Sequence, residues 1–281
     1  MAAPESPTQR ELIAHRPSAA LAPFVRSMTG YSLDGIDIVH HGLPSTELTF
    51  ILALGSPLRV GWSPDPVASK DFQAMVSGLH SSPAYIFTTP THSGIQLGLT
   101  PAGVRALFGM PAAELHAELV DLQAMWAVVG AQLFEQVAEC ATWADRFVVL
   151  DRALLDLIQP DVPPVRRELG WAWHQLVRRG VTQTVELADE IGWSRGYFAR
   201  LFAAEYGLKP KETARIVRFG KARTALGAAG ASIGQVASAC GYADQAHLTR
   251  EWRRLAGCTP TEWQAEMLAF VQDSGGPSGD H

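Results

Sequence analysis

Hydrophobic and polar side chains alternate in two stretches of the first hundred residues. In Thr46–Leu54 the apolar Leu48, Phe50, Leu52 and Leu54 alternate with Glu47, Thr49 and Ala53, and Ile51 falls out of step. In Gly94–Thr100, Ile95, Leu97 and Leu99 alternate with Gln96 and Gly98. A period of two puts each apolar set on one face of a sheet. Leu58–Trp62, Gln73–Val76 and Ala84–Thr88 predict further strands, joined by turns rich in Gly and Pro. At Pro101, a residue suited to a helix N-terminus, the pattern becomes helical over Ala102–Phe108, and helical periodicity returns in Ala131–Cys140 and Ala144–Leu157.

Three prolines in five residues, at 160, 163 and 164, stop the helices on both sides and predict a semi-rigid linker. Beyond Pro164 every periodic stretch is helical. The stretches are Glu168–Arg179 (ended by Gly180), Thr184–Ile191, Arg195–Glu205, Pro210–Leu226, Ile233–Ala239, Asp244–Leu255 and Pro260–Val271. The expected organisation is a β-rich domain with trailing helices over 1–159, a linker at 160–167, an all-α domain over 168–271, and a loose tail at 272–281. The fold class is α+β.

The helical half contains an internal repeat. Ala188 aligns with Ala237, Gly192 with Gly241, and Trp193 with Tyr242. With one extra residue in the second copy, Arg200 then meets Arg250, Phe202 meets Trp252, Gly207 meets Gly257, and Pro210 meets Pro260. Each copy has the physics of a helix-turn-helix. A small residue lets the second helix cross closely, and a Gly four residues later accepts a sharp turn between the helices. Ser194 and Asp244 are placed to cap the second helices. Phe198, Leu201 and Phe202 are spaced to face a core in the first copy, as are Leu248, Trp252 and Leu255 in the second. The opposite faces carry Arg195, Tyr197 and Arg200, then Gln245, His247, Thr249 and Arg250, side-chain types that hydrogen-bond base edges or phosphates.

Charge separates the same two halves. The net formal charge is −5, which taken whole disfavours a polyanionic partner. Residues 1–165, however, hold 8 basic and 16 acidic side chains, residues 166–256 hold 15 and 8, and residues 257–281 hold none and 4. A basic block carrying the repeat lies between acidic flanks, the distribution expected of a nucleic-acid-binding unit.

At these residues the chain resembles the AraC/XylS family of bacterial transcription regulators. The segment 241–263 matches the family signature at Gly241, Tyr242, Asp244, Arg250, Arg253, Arg254, Gly257, Thr259 and Pro260, and departs from it at Leu248, Trp252, Trp263 and Gln264. The linking helix carries Arg218, Ala222 and Leu226 where the family has Arg, Ala and Leu. Thr213 and Ala214 replace an aromatic–aliphatic pair, which implies looser packing there. The resemblance covers about 168–264 and implies a seven-helix domain whose two recognition helices enter successive major grooves about one helical turn (~34 Å) apart. By position it assigns base reading to Arg195, Gly196, Ala199 and Arg200, with Tyr197 beside them, and to Gln245, Ala246, His247, Thr249 and Arg250. Segment 43–110 also looks like a sensor domain found on some family members, through Leu43-Pro44, Gly98–Gly103 and Leu107–Gly109. The resemblance implies a barrel or cupin-like N-terminal domain for effector sensing or dimerisation. The partners it implies are double-stranded DNA, a small-molecule effector, RNA polymerase and a second copy of the chain.

Other chemistry finds less support in the sequence. No apolar run reaches the ~20 residues of a membrane span, the first residues lack a secretory signal, and three spread cysteines point to the cytosol. His40, His41, His80, His92 and Glu47 lie in the β region, but adjacent strand histidines point to opposite faces, so no metal or cofactor is expected. Trp62, Met75, Tyr85 and Phe87 are candidates for an apolar pocket or for plain core. Cys140 is expected to be a buried, inert thiol. No nucleophile-elbow, phosphate-loop, dinucleotide or zincin motif occurs, so no catalytic residue is assigned. Two readings stay open beside the regulator: a cysteine-based catalytic domain fused to a DNA-binding unit, and a ligand-independent adaptor that recruits polymerase.

Overall fold

A computed structural model describes residues 9–34, 39–87, 89, 91–179, 184–228 and 230–265. The N-terminal half is built on two antiparallel sheets. The larger has the order β1–β2–β9–β4–β7–β10, from Gln9–His15, Val25–Asp34, Thr91–Leu99, Leu48–Ala53, Ala74–Ser77 and Leu119–Asp121. The smaller has the order β3–β8–β5–β6, from Val39–Gly42, Ala84–Phe87, Leu58–Gly61 and Lys70–Phe72. Helices α1 (Pro101–Phe108), α2 (Leu122–Met125), α3 (Ala127–Glu139) and α4 (Trp143–Asp156) accompany them. The N-terminus of α1 is held by Thr100, whose hydroxyl accepts from the Gly103 N–H at 2.9 Å.

The register explains the misfit at Ile51. Leu48, Phe50 and Leu52 face the core shared with Leu107, Phe147 and Leu150 of the helices. Ile51 and Met75 face the other way, into a second core with Val60, Phe72 and Ala84 of the smaller sheet. Both faces of β4 are therefore partly dry, and strict alternation fails where the second sheet covers it. Strands β1, β2, β3, β6 and β10 were not legible in the pattern. In β2 a register shift between Val25 and Ser27 interrupts the period of two, and β1 leaves Leu12 and Ala14 exposed at a sheet edge.

Among the described residues every regular element of the C-terminal half is a helix. This half comprises α5 (Arg167–His174, continued by a π-helical turn at Gln175–Arg179), α6 (Thr184–Ile191), α7 (Arg195–Tyr206), α8 (Pro210–Leu226), α9 (Ile233–Ala239) and α10 (Gln245–Ala256), with residues 260–265 helical again. The expected stop at Gly180, the end of the last helix and the tail lie outside the described residues. Thr213 and Ala214 are both buried, and Thr213 donates to the Lys209 carbonyl, so the looser packing implied for α8 is not seen. Among the described residues no helix is long and apolar enough to cross a membrane.

Candidate nucleic-acid interface and ligand cavity

The two turns of the repeat are built alike. After α6 the Trp193 N–H donates to the Ala188 carbonyl at 2.9 Å, and after α9 the Tyr242 N–H donates to the Ala237 carbonyl at 2.9 Å. Gly192 and Gly241 sit at φ of +77° and +75°. A Cβ at either would meet nothing within 4 Å, so the backbone angle, not space, selects glycine. Ser194 caps α7 by accepting from the Tyr197 N–H at 3.3 Å, and Asp244 caps α10 by accepting from the His247 N–H at 2.6 Å. Ala188 and Ala237 are buried where the helices cross.

The helices behind the turns are held differently. Behind α7, Trp173 of α5 stacks on Tyr206 at 4.3 Å between ring centroids, and Phe202 lies 4.6 Å from Tyr206. Behind α10, Trp252 packs edge-on against Phe219 and Trp263. Glu251, which has no acidic counterpart in the first copy, turns inward to accept from Arg218 Nη2 at 2.7 and 2.9 Å, with Arg215 Nε at 3.6 Å. The Arg218 guanidinium lies 4.6 Å over the Tyr242 ring.

Outward from these cores, Arg195, Gly196, Tyr197 and Arg200 are exposed on α7 and Ala199 is half-buried. Arg200 lies over the Tyr197 ring at 5.4 Å. On α10, Gln245, Ala246 and Arg250 are exposed, whereas His247 and Thr249 are half-buried and already engaged. Thr249 donates to the Gln245 carbonyl at 2.9 Å. His247 Nδ1 accepts from the Ala243 N–H at 3.3 Å, and its ring meets Tyr242 edge-on. That tethering fixes the start of α10.

The helical half also docks on the β half, through contacts no sequence pattern pointed to. Arg105 of α1 makes a paired bond to Glu205 at the end of α7, Nε to Oε1 at 3.1 Å and Nη2 to Oε2 at 2.6 Å, and donates to the Pro163 carbonyl at 3.2 Å. Gly207 sits on His116, and Leu208 enters the core of the β half. The matching Gly257 after α10 faces Pro83, Tyr85 and His41. Both recognition helices thus end against the same domain.

Between the two sheets opens a cavity of about 790 Å³. The alternate residues of β4 and β9, Thr49, Ile51, Gln96 and Gly98, line it, so the polar positions of those strands face a cavity. Arg223 of α8 and Trp263 close one side from the helical half. Of the apolar candidates only Met75 lines it. Tyr85 lies against Gly257, and Trp62 packs on His80. Glu47, His40, His41 and His80 also border it. Burial pushes His80 and His92 below the usual imidazole range, and each is already engaged, His80 Nδ1 with the Ser82 carbonyl and His92 with the Tyr31 hydroxyl. Among the described residues no three His, Cys, Asp or Glu side chains gather as a metal site. Cys140 is half-buried at the C-cap of α3, its Sγ 3.2 Å from the Gln136 carbonyl, and not fully buried as expected.

Comparison with known proteins bears on the helical half first. The family described as a helix-turn-helix domain matches residues 187–266, a span that includes both turns. No curated protein matches the chain by sequence. An apo ToxT variant from Vibrio cholerae superposes with a TM-score of 0.50 at 10% identity, over 93% of this chain and 98% of that one, and so shares the two-domain fold. Wild-type ToxT from the same organism, solved with an unsaturated fatty acid bound, scores 0.48 at 10% identity, over 89% and 96%. A DNA-binding transcriptional dual regulator from Escherichia coli K-12 scores 0.31 at 20% identity, over 36% of this chain and 99% of that one. The chain therefore joins a β-sheet domain to a helical domain whose residues 187–266 match a helix-turn-helix family, in a two-domain fold shared with ToxT.

Proposed function

We propose that the chain is an AraC-family transcription regulator that reads its operator with Arg195, Gly196, Tyr197, Ala199 and Arg200 of α7 and Gln245, Ala246, His247, Thr249 and Arg250 of α10, and that a small molecule in the inter-sheet cavity controls it. Residues 1–159 are the sensing and dimerising unit in this reading, 160–167 the linker and 168–271 the DNA-binding unit. A homodimer on DNA, in contact with RNA polymerase in the cytoplasm, completes it. Arg195, Arg200, Gln245 and Arg250 supply the long donors. Gly196 and Ala199 offer only close apolar contact, as to a thymine methyl. His247 and Thr249 act mainly by fixing the start of α10.

One observation carries the control: the wall of the cavity includes Arg223 and Trp263 of the DNA-binding half. An occupant touches both domains at once, and Trp263 packs on Trp252 of α10 at 5.3 Å. A ligand with different affinity for two domain arrangements therefore shifts DNA binding. The test is selection of DNA fragments by the purified full-length protein, followed by a melting-temperature screen of metabolites. Enrichment of one operator and a metabolite response erased by the cavity-filling Thr49→Trp are expected. No enriched sequence sinks the DNA assignment, and a response that survives Thr49→Trp sinks the cavity assignment.

A further inference from the structure

Among the described residues, one ion pair joins the halves, and one further pair of opposite charges faces across the junction without closing. Arg105 and Glu205 meet at 2.6 Å. Glu47 and Arg223, among the described residues the only Asp, Glu, Lys or Arg in the cavity lining, face each other from opposite domains, and no ion pair forms between them within 4 Å. Glu47 is placed with care. Its carboxylate lies over Gly98, where a Cβ would overlap it, and accepts one long bond from the Ser27 hydroxyl at 3.4 Å. The Arg223 side chain is half-buried and its guanidinium makes no hydrogen bond to a described residue. Burial raises the Glu47 carboxyl, opposed in part by Arg26, by the Ser27 hydroxyl and, least, by Arg223, and burial lowers the Arg223 guanidinium, opposed by Glu47 at a distance. Each therefore holds unused hydrogen-bonding capacity next to the cavity. Ile51, Val60, Met75 and Leu119 supply an apolar floor beside them.

We infer that the cavity takes a zwitterion with an apolar body, of amino-acid type, whose ammonium binds Glu47 and whose carboxylate binds Arg223. This rests on the cavity being the regulator's ligand site. An acid alone satisfies Arg223 but brings its charge up to Glu47, and an amine alone does the reverse. Only a ligand with both charges completes both groups without a like-charge contact, and the bonds it forms are charge-assisted on each side.

The test uses three matched probes on the full-length protein by titration calorimetry: 2-amino-4-phenylbutanoate, 4-phenylbutanoate, which lacks the amine, and 3-phenylpropylamine, which lacks the acid. The zwitterion is expected to bind roughly tenfold or more tighter than either fragment. Glu47→Gln should remove its advantage over the acid, and Arg223→Gln its advantage over the amine, with both variants still unfolding in one cooperative thermal transition. Equal or tighter binding of either fragment, or a rank order unchanged in both variants, overturns the charge pair and leaves the cavity as a ligand site. Silence of all three probes overturns the charge pair as well. The cavity reading has a separate failure, a metabolite response that survives Thr49→Trp.

Discussion

The two helix-turn-helix copies share their turns and differ in what anchors them. Both have the same backbone bond across the turn, the same left-handed glycine and the same type of side-chain cap. The second copy is closed from within, by Glu251 between Arg218 and Arg215. The first has an aromatic stack behind it, and its one carboxylate of this kind, Glu205, points out of the domain to Arg105. The local motif is thus conserved in form while its support is divided. Both copies end against the β half, but copy two is held by an ion cluster within the helical half and copy one by an ion pair to the β half. The closed ion pair across the junction reaches α7, and the contact from the cavity wall through Trp263 reaches α10.

The largest test of that division is Glu251→Gln. It leaves two arginines facing each other in a part-buried site, and is expected to cost about 3 kcal/mol in urea unfolding. Glu205→Gln should cost less, about 2 kcal/mol, because it removes one charge-assisted pair at the domain junction. The location of the damage matters more than its size. Hydrogen exchange should rise in α10 for Glu251→Gln and in α7 for Glu205→Gln. The same pattern of exchange in both variants breaks the comparison.

On DNA the contrast is between exposed side chains. Arg250→Ala is expected to cost ~1–3 kcal/mol at a selected site and to relax one base position. Equal weakening on random and specific DNA would make Arg250 a phosphate contact. At the turns the copies should behave alike. Gly192→Ala and Gly241→Ala each place a Cβ at positive φ with open space around it, so each should lower stability by about 1 kcal/mol. A cost several times larger at one turn than at the other would show that the backbone bond across the turn is not its main support.

What the sequence made legible was whatever is local. The turn glycine four residues after a small residue, the caps at Ser194 and Asp244, and helices α6, α8 and α9 to the residue all follow from neighbours within a few positions. The alternation in β4 and β9 was equally plain, but its meaning was not, since polar Thr49 and Gln96 border a cavity that only the second sheet creates. Strand β2 was hidden by its bulge. The junction was out of reach for a different reason. Arg105 and Glu205 are 100 residues apart, and in the sequence Glu47 is a polar position of an alternating strand and a candidate metal ligand. Nothing in the period of α8 distinguishes Arg223 from a solvated arginine, except that it lies between buried Ala222 and Leu226.

The smallest expected effect sharpens the contrast between the closed and open pairs. Replacing Glu205 weakens the protein because a made bond is lost. Replacing Glu47 removes a carboxylate whose burial outweighs the help it gets from Arg26, Ser27 and Arg223. Its folded pKa lies above the unfolded value near 4.5, so the folded state holds this proton more tightly. The stability linked to it is complete below that pH and is lost as pH rises through the folded value. Glu47→Gln, a neutral stand-in for the protonated acid, should therefore match the wild type at pH below 4.5 and melt slightly higher at neutral pH. A lower melting temperature at neutral pH would mean that Glu47 and Arg223 already form a stabilising pair without any ligand, and that the junction has two locks instead of one lock and one open site.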